Sequence, residues 1–313
     1  VPGDEFDLIE WIRRHASTSP AVVTGIGDDA AALALPPDAL ALVTTDMLID
    51  GVHFRSNETS PRQIGRKAIA RALSDIAAMA GDPVAVVVAL AAPRDSTLTY
   101  LREIAAGAIG AASEYHAPIV GGDISVGDLP ITITVTCLGA GRRGRVALRS
   151  GARPGDVVLV TGEFGGSLLG RHLEPRPRLR EAQWLRDALA IHAMIDVSDG
   201  LAADAAHVAR ESGVAIEFQA EAIPISPDAF AMSTTSGKPA LEHALHDGED
   251  YELLFTTSPQ EAHALLRRKD IPVRITQIGE VFAGSGLWLR HGGQKRLSLE
   301  PRGWRHTFGP EAG

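Results

Sequence analysis

Apolar residues near the start of the chain recur at helical spacing, with Phe6, Ile9 and Ile12 on one face of EFDLIEWIRRHA. Short β-rich runs then alternate with longer helical patterns. The alternation predicts strands over 31–35, 40–45, 84–91, 130–138, 157–161, 193–197, 214–219, 250–257, 272–281 and 286–290. It predicts helices over 62–73, opened by Ser60 and Pro61, and over 97–114, 180–190, 200–212 and 259–269. The succession is mixed α and β. Residues 139–156, GAGRRGRVALRSGARPGD, are rich in Gly and Arg and poor in apolar side chains, which marks a linker with a boundary near 140–148.

Composition narrows the class. A chain of 313 residues with 45% hydrophobic and 22% charged residues can bury two ordinary cores, so two domains are expected. Thirty-nine acids against 30 basic residues give a formal charge of -9, which argues against a nucleic-acid binder or a partner of anionic membranes. An acidic protein that handles anions needs cations to mediate. Cys137 is the single cysteine and sits in the strand-like run ITITVTCLG, where it reads as a buried filler. No apolar stretch approaches the roughly 20 residues of a membrane span, and residues 1–20 carry four acids, so a cytoplasmic chain is expected.

The acids fall where elements are expected to end. Asp28 and Asp29 lie in GIGDDAA, Asp46 follows ALALVTT, Asp75 closes RKAIARALSD, Asp123 follows PIVGG, and Asp196 and Asp199 bracket the turn of AMIDVSDGL. Strand ends in sheets flanked by helices are where distant side chains converge on ligands. Each acid also has a plainer reading: Asp199 as an N-cap, Asp123 and the Asp28–Asp29 pair as turn residues, Asp75 as a helix-end carboxylate. Together, hard oxygen ligands without clustered His or Cys point to Mg²⁺ or Mn²⁺ and hence to a phosphate enzyme. The chain lacks GxxxxGK[ST], a strand followed by GxGxxG, HExxH and GxSxG. GEFGGSLLG is glycine-rich without the phosphate-loop Lys and reads as a packing loop. Of the eleven histidines, His53 alone, in DGVHF, is well placed for a ligand.

GIGDDAA, TTDMLIDGVHF, ALSDIAAMAGDP, IVGGDIS, LRSGARPGD, IDVSDGL and GEDYELLF stand in an order and approximate spacing that resemble the thiamine-monophosphate kinases of the aminoimidazole ribonucleotide synthetase-like superfamily, from about residue 4 to 306. The resemblance implies an α/β (α+β mixed), two-domain fold. Residues 1–142 would form an N-terminal ATP- and metal-binding domain that also makes the interface of a homodimer, and residues 143–313 a C-terminal domain completing the nucleotide and substrate site. It implies ATP-dependent phosphorylation of thiamine monophosphate to thiamine diphosphate with several Mg²⁺ ions. Asp29, Thr44, Thr45, Asp46, Asp75, Asp123, Asp196 and Asp199 would be ligands to metal or its water, and Asp28 would join Asp29 in that carboxylate cage. Gly122, Asp123, Arg149 and Ser198 would hold ATP, and His53, Glu249 and Trp304 the substrate. The chain departs from the family pattern at Ala80, Ile124 and Asp247, and its 162–185 region looks shorter, which puts in doubt substrate contacts from that loop.

The implied chemistry fits the residues. A phosphomonoester has its second pKa near about 6, so the attacking phosphate oxygen is already ionised at neutral pH and no general base is expected. The obstacle is bringing two polyanions together, since unit like charges about 4 Å apart repel by about 4 kcal/mol at an effective dielectric of 20. Cations that bridge them supply most of what direct in-line transfer needs. Trp304 could stack on the cationic thiazolium. Two other readings stay open: a sister ATP-dependent synthetase, with the selenophosphate version disfavoured by the lack of an N-terminal Cys, and a non-catalytic nucleotide-binding subunit.

Overall fold

The structure, a computed structural model, describes residues 5–27, 29–293 and 295–304. It divides into two compact units, one of 1–146 with 173–183 and one of 147–172 with 184–313. Among the described residues, no helix is long and apolar enough to cross a membrane.

In the first unit, α1 (Glu5–His15) precedes a short hairpin of β1 (Val22–Thr24) and β2 (Ala32–Leu33). There follow β3 (Ala39–Ile49), α2 (Pro61–Ala78), β4 (Asp82–Pro93), α3 (Leu98–Glu114), β5 (Ile119–Gly127) and β6 (Thr132–Arg142). The sheet order is β3-β6-β4-β5, with only β4 and β5 parallel. Helix α2 starts where the sequence says it should. Ser60 caps it in a reciprocal box with Gln63, and Pro61 supplies the preset φ of the first turn. It runs past the expected end at 73 because the Ala/Ile pattern continues, burying Ile76, Ala77 and Ala78. Helices α2 and α3 meet backbone to backbone. A Cβ on Gly65 would stand 1.9 Å from the Ile104 carbonyl oxygen, and one on Gly107 would stand 2.0 Å from that of Arg62.

In the second unit, β7 (Val157–Thr161), β8 (Ala193–Val197), β9 (Val214–Gln219), β10 (Glu252–Thr257), β11 (Ile275–Ala283), β12 (Gly286–Arg290) and β13 (Leu297–Leu299) form one sheet. Its order is β13-β12-β9-β11-β7-β10-β8. Every residue of β7, β8 and β10 is buried, including Asp196 of β8 and Glu252 of β10. Helix α4 (Leu179–Ala188) belongs to the first unit up to Gln183 and to the second from Trp184. Helices α5 (Leu201–Ser212), α6 (Pro227–Ser236), α7 (Ala240–His246) and α8 (Pro259–Leu266) complete the order. The sequence pattern missed α6 and α7, whose short length leaves little period to read.

Three of the acids lie within elements rather than at the ends that the pattern gives them, whereas Asp196 and Asp199 fall where it places them. Asp46 lies inside β3, Asp75 inside α2 and Asp123 inside β5, a strand that the pattern does not predict; Asp196 is within β8, whose span is the one expected. Asp199 sits in a turn, just before α5, and Asp29 in a bend between β1 and β2. Polar residues interrupt the apolar signal, so the pattern ends a strand at 45 and a helix at 73, short of Asp46 and Asp75. The two glycines of α3 offer a test of how tightly the helices are set. Gly107→Ala is expected to destabilise the protein by about 2–3 kcal/mol through overpacking. Gly110→Ala, which meets nothing within 4 Å, should instead stabilise it by about 0.5–1 kcal/mol. Urea unfolding of both variants measures the difference.

Candidate active site

Strand alternation sorts the acids of the first unit. Thr44 and Asp46 project from the face of β3 that also carries buried Leu42 and Leu48, whereas Val43, Thr45 and Met47 project from the exposed face. Thr44 donates its hydroxyl to Asp75. Asp46 is gripped by Arg71, with Nε 2.9 Å from Oδ2 and Nη2 3.1 Å from Oδ1. Oδ1 also accepts the Met47 N–H at 2.9 Å. The fit is metric. Two residues of strand advance about 6.6 Å and four residues of helix about 6 Å, so Thr44 and Asp46 face Asp75 and Arg71 rung for rung. Thr45 is not brought into this set; its hydroxyl accepts from Thr136 at 3.3 Å. Next to Thr44 in the ladder, the Cys137 thiol is pushed up to about 12 by burial and then by the Asp75 carboxylate. The oxygens of Thr44, Asp46 and Asp75 suit a hard divalent cation.

Asp123 is placed elsewhere. The ladder aligns Asp46, Val135, Val88 and Gly122 in one row, and Met47, Thr134, Ala89 and Asp123 in the next. Asp46 and Asp123 therefore sit on the two edge strands, about 14 Å apart by three strand spacings, with side chains toward opposite faces. Gly122 has a packing reason to be glycine, because a Cβ there would stand 2.1 Å from the Val88 carbonyl oxygen. Gly122 and Asp123 also line a cavity of about 110 Å³, otherwise walled by Ile9 and Ile12 of α1, Ile69 of α2, Ile104 and Ala108 of α3, and Ile133. Asp29 is exposed beyond β1, and Asp28 lies outside the described residues. His53 accepts the Ile49 N–H on Nδ1 at 3.1 Å, which leaves its proton on Nε2. Its carbonyl takes the Nζ of the fully buried Lys67 at 2.7 Å.

In the second unit the turn between β8 and α5 is organised by a residue that the sequence reading missed. One oxygen of Asp204 accepts the N–H groups of Ser198, Asp199 and Gly200 at 3.0, 3.0 and 3.1 Å. Asp204 is almost wholly buried. Burial, and then the charges of Asp196 and Asp199, hold its carboxyl well above the usual carboxylate range. Its signal was present: Leu201, Asp204, Ala205 and Val208 share the buried face of α5, and an acid there requires partners. Ligand atoms of Asp199, Asp204 and His207 all lie within 4.8 Å of one another. The Glu249 N–H donates to the Ser198 carbonyl at 2.7 Å and the Trp304 N–H to the Asp199 carbonyl at 3.0 Å. Ser198, Asp199, Glu249 and Trp304 are thus brought together, with Glu249 held at φ 62° and the Trp304 side chain 54% exposed. Such a φ is uncommon outside glycine and concentrates at functional loops. Arg149 is exposed, and its carbonyl accepts the Ser212 hydroxyl at 3.1 Å.

The loop GEFGGSLLG spends its N–H groups inside the protein. Gly165 donates to Asp250 at 3.0 Å and Gly166 to Asp247 at 3.0 Å. Burial pushes the Asp250 carboxyl up to about 8, opposed by Gly165 and by the Arg171 guanidinium 2.7 Å away. Anchoring the acidic loop 247–251 is what the glycines do, and Asp247 is one of the anchors. The role of Asp204 can be measured. Asp204→Ala leaves three N–H groups without their acceptor and is expected to cost about 2–4 kcal/mol. Asp204→Asn, which keeps an acceptor oxygen, should cost well under half as much in the same urea unfolding experiment.

Residues 27–140 match the AIR synthase related protein, N-terminal domain, and residues 153–291 the AIR synthase related protein, C-terminal domain. The thiamine-monophosphate kinase of Rhodopirellula baltica is 40% identical over 309 residues, which cover 96% of this chain and 97% of that protein. A crystal structure of thiamine-monophosphate kinase from Stenotrophomonas maltophilia superposes with a TM-score of 0.80 at 32% identity, covering 91% of this chain and 96% of that one. The structure of AaThiL complexed with AMPPCP and TMP superposes with a TM-score of 0.77 at 33% identity, covering 97% of each chain. Both domains match in sequence order and the identity extends over nearly the whole length, so the chain belongs to the thiamine-monophosphate kinase family of the AIR synthase related proteins.

Proposed function

We propose that this chain transfers the γ-phosphoryl group of ATP to thiamine monophosphate, giving ADP and thiamine diphosphate. The observation that carries this reading is the 33% identity, over 97% of the chain, to a structure complexed with AMPPCP and TMP. The site residues agree with it chemically. Thr44, Asp46 and Asp75 present oxygens alone, as do Asp196 and Asp199, and these would hold Mg²⁺. Bound there, Mg²⁺ would neutralise phosphate charge and orient the two reacting groups. Arg149 offers a guanidinium fork that matches phosphate oxygens. The cavity beside Gly122 and Asp123 has apolar walls suited to the flat adenine ring. His53, with its proton on Nε2, would contact the phosphate of thiamine monophosphate. Glu249 and Trp304, on adjoining segments, face the cationic thiazolium with a carboxylate and an aromatic surface. The substrate phosphate needs no base to ionise it, so none of these residues is assigned a proton transfer.

The protein acts as a homodimer in this reading. Val43 and Met47 leave 67% and 48% of their surface exposed on the open face of the first sheet, where a second copy would cover them. A two-fold pairing of these sheets also offers Asp46 of one copy and Asp123 of the other to the same substrates, which one chain alone holds at opposite edges.

Two experiments test the proposal. ADP release with ATP and Mg²⁺ should depend on thiamine monophosphate and be at background with thiamine or a simple phosphomonoester. Equal rates with any phosphate acceptor would overturn the substrate assignment. Asp46→Asn and Asp123→Asn should each abolish turnover, and co-refolding the two should restore about a quarter of wild-type activity, because half the dimers then carry one intact site. No recovery, with dimers seen by light scattering, would mean that each chain builds its site alone.

A further inference from the structure

Arg71 has no part in the reaction just described, yet its guanidinium donates from Nη2 to Oδ1 of Asp46 and holds Nε 2.9 Å from Oδ2 as an ion pair. It is well placed to stay there. The side chains of Arg71 and Asp46 are only 15% and 25% exposed, and Arg71 lies one helical turn before Asp75 on the same stripe of α2. A divalent ion approaching the Thr44, Asp46 and Asp75 oxygens would meet a fixed positive charge one hydrogen bond from its ligand. From this geometry we infer that Arg71 is a resident counter-cation of the carboxylate set. It holds Asp46 in its rotamer and sets the metal affinity by competing with the ion for the same oxygens. The inference rests on Asp46 being a metal ligand.

The direction follows from charge. Removing Arg71 deletes repulsion between a unit charge and a divalent ion, which at about 5 Å in a watery dielectric corresponds to about a five- to fifteen-fold change in binding. A guanidinium that merely props Asp46 in place would act in the opposite sense, and its loss would weaken the metal.

The test is calorimetric titration of Mn²⁺ into the full-length protein without nucleotide. Arg71→Met keeps the aliphatic stem and should bind Mn²⁺ about five-fold or more tightly than wild type. Arg71→Lys keeps the charge without the fork and should bind within about two-fold of wild type, as the same charge argument requires. Should Arg71→Met fail to fold by circular dichroism, Arg71→Gln makes the same comparison while still donating to Asp46. Unchanged or weaker binding in the neutral variant, or a Lys variant that tightens as much as the neutral one, would overturn the inference. Asp46→Asn separates the two layers. If it leaves Mn²⁺ binding untouched, Asp46 is no ligand and the metal assignment falls. If it weakens binding while the neutral Arg71 variant does not tighten it, only the role of Arg71 falls.

Discussion

Carboxylates can be assembled in a folded protein only if each is answered by a donor or a cation of its own, and the local structure of both units follows from that requirement. An unpaired buried carboxylate costs several kcal/mol, more than a typical domain can spare from its net stability. Here Asp75 has the Thr44 hydroxyl, Asp46 the Arg71 fork, Asp204 three backbone N–H groups, and Asp250 a glycine N–H with a guanidinium. The acids can therefore be present, oriented and concentrated before any ligand arrives. Acceptors and donors are not scattered along the chain to do this. They come from β3 facing α2, and from α5 reaching back under the turn that precedes it.

Those pairings hold because backbone distances are fixed elsewhere. Glycines at the crossing of α2 and α3 let the two helices touch, which sets how α2 lies along β3 and hence which rung of the strand meets Arg71 and which meets Asp75. Gly248 does the corresponding work in the second unit, where a Cβ would stand 2.6 Å from the Ser198 carbonyl oxygen. The segment carrying Glu249 is thereby laid directly against the acidic turn. Both arrangements use close backbone approach to convert a flexible stretch of polar residues into a fixed one.

Much of this was legible in the chain. The alternating α and β pattern and the start of α2 at Ser60 and Pro61 are read from the chain, and the order of the seven motifs leads to the family. Asp204 was legible too, as an acid on the apolar face of α5. The reading of GEFGGSLLG as a packing loop agrees with where Gly165 and Gly166 send their N–H groups.

Local sequence determines helix and strand type, because hydrophobic periodicity and capping act over a few residues. It determines which residues can bind cations, because that is a matter of functional groups. It does not determine where an element ends when carboxylates replace apolar residues, which is why the pattern sets Asp46, Asp75 and Asp123 at element ends while they lie inside β3, α2 and β5. Nor does it contain strand order. Only the order β3-β6-β4-β5 puts Asp46 and Asp123 on opposite edges. Hydrogen bonds between strands distant in sequence decide that order, and they couple residues whose separation along the chain says nothing about their separation in space.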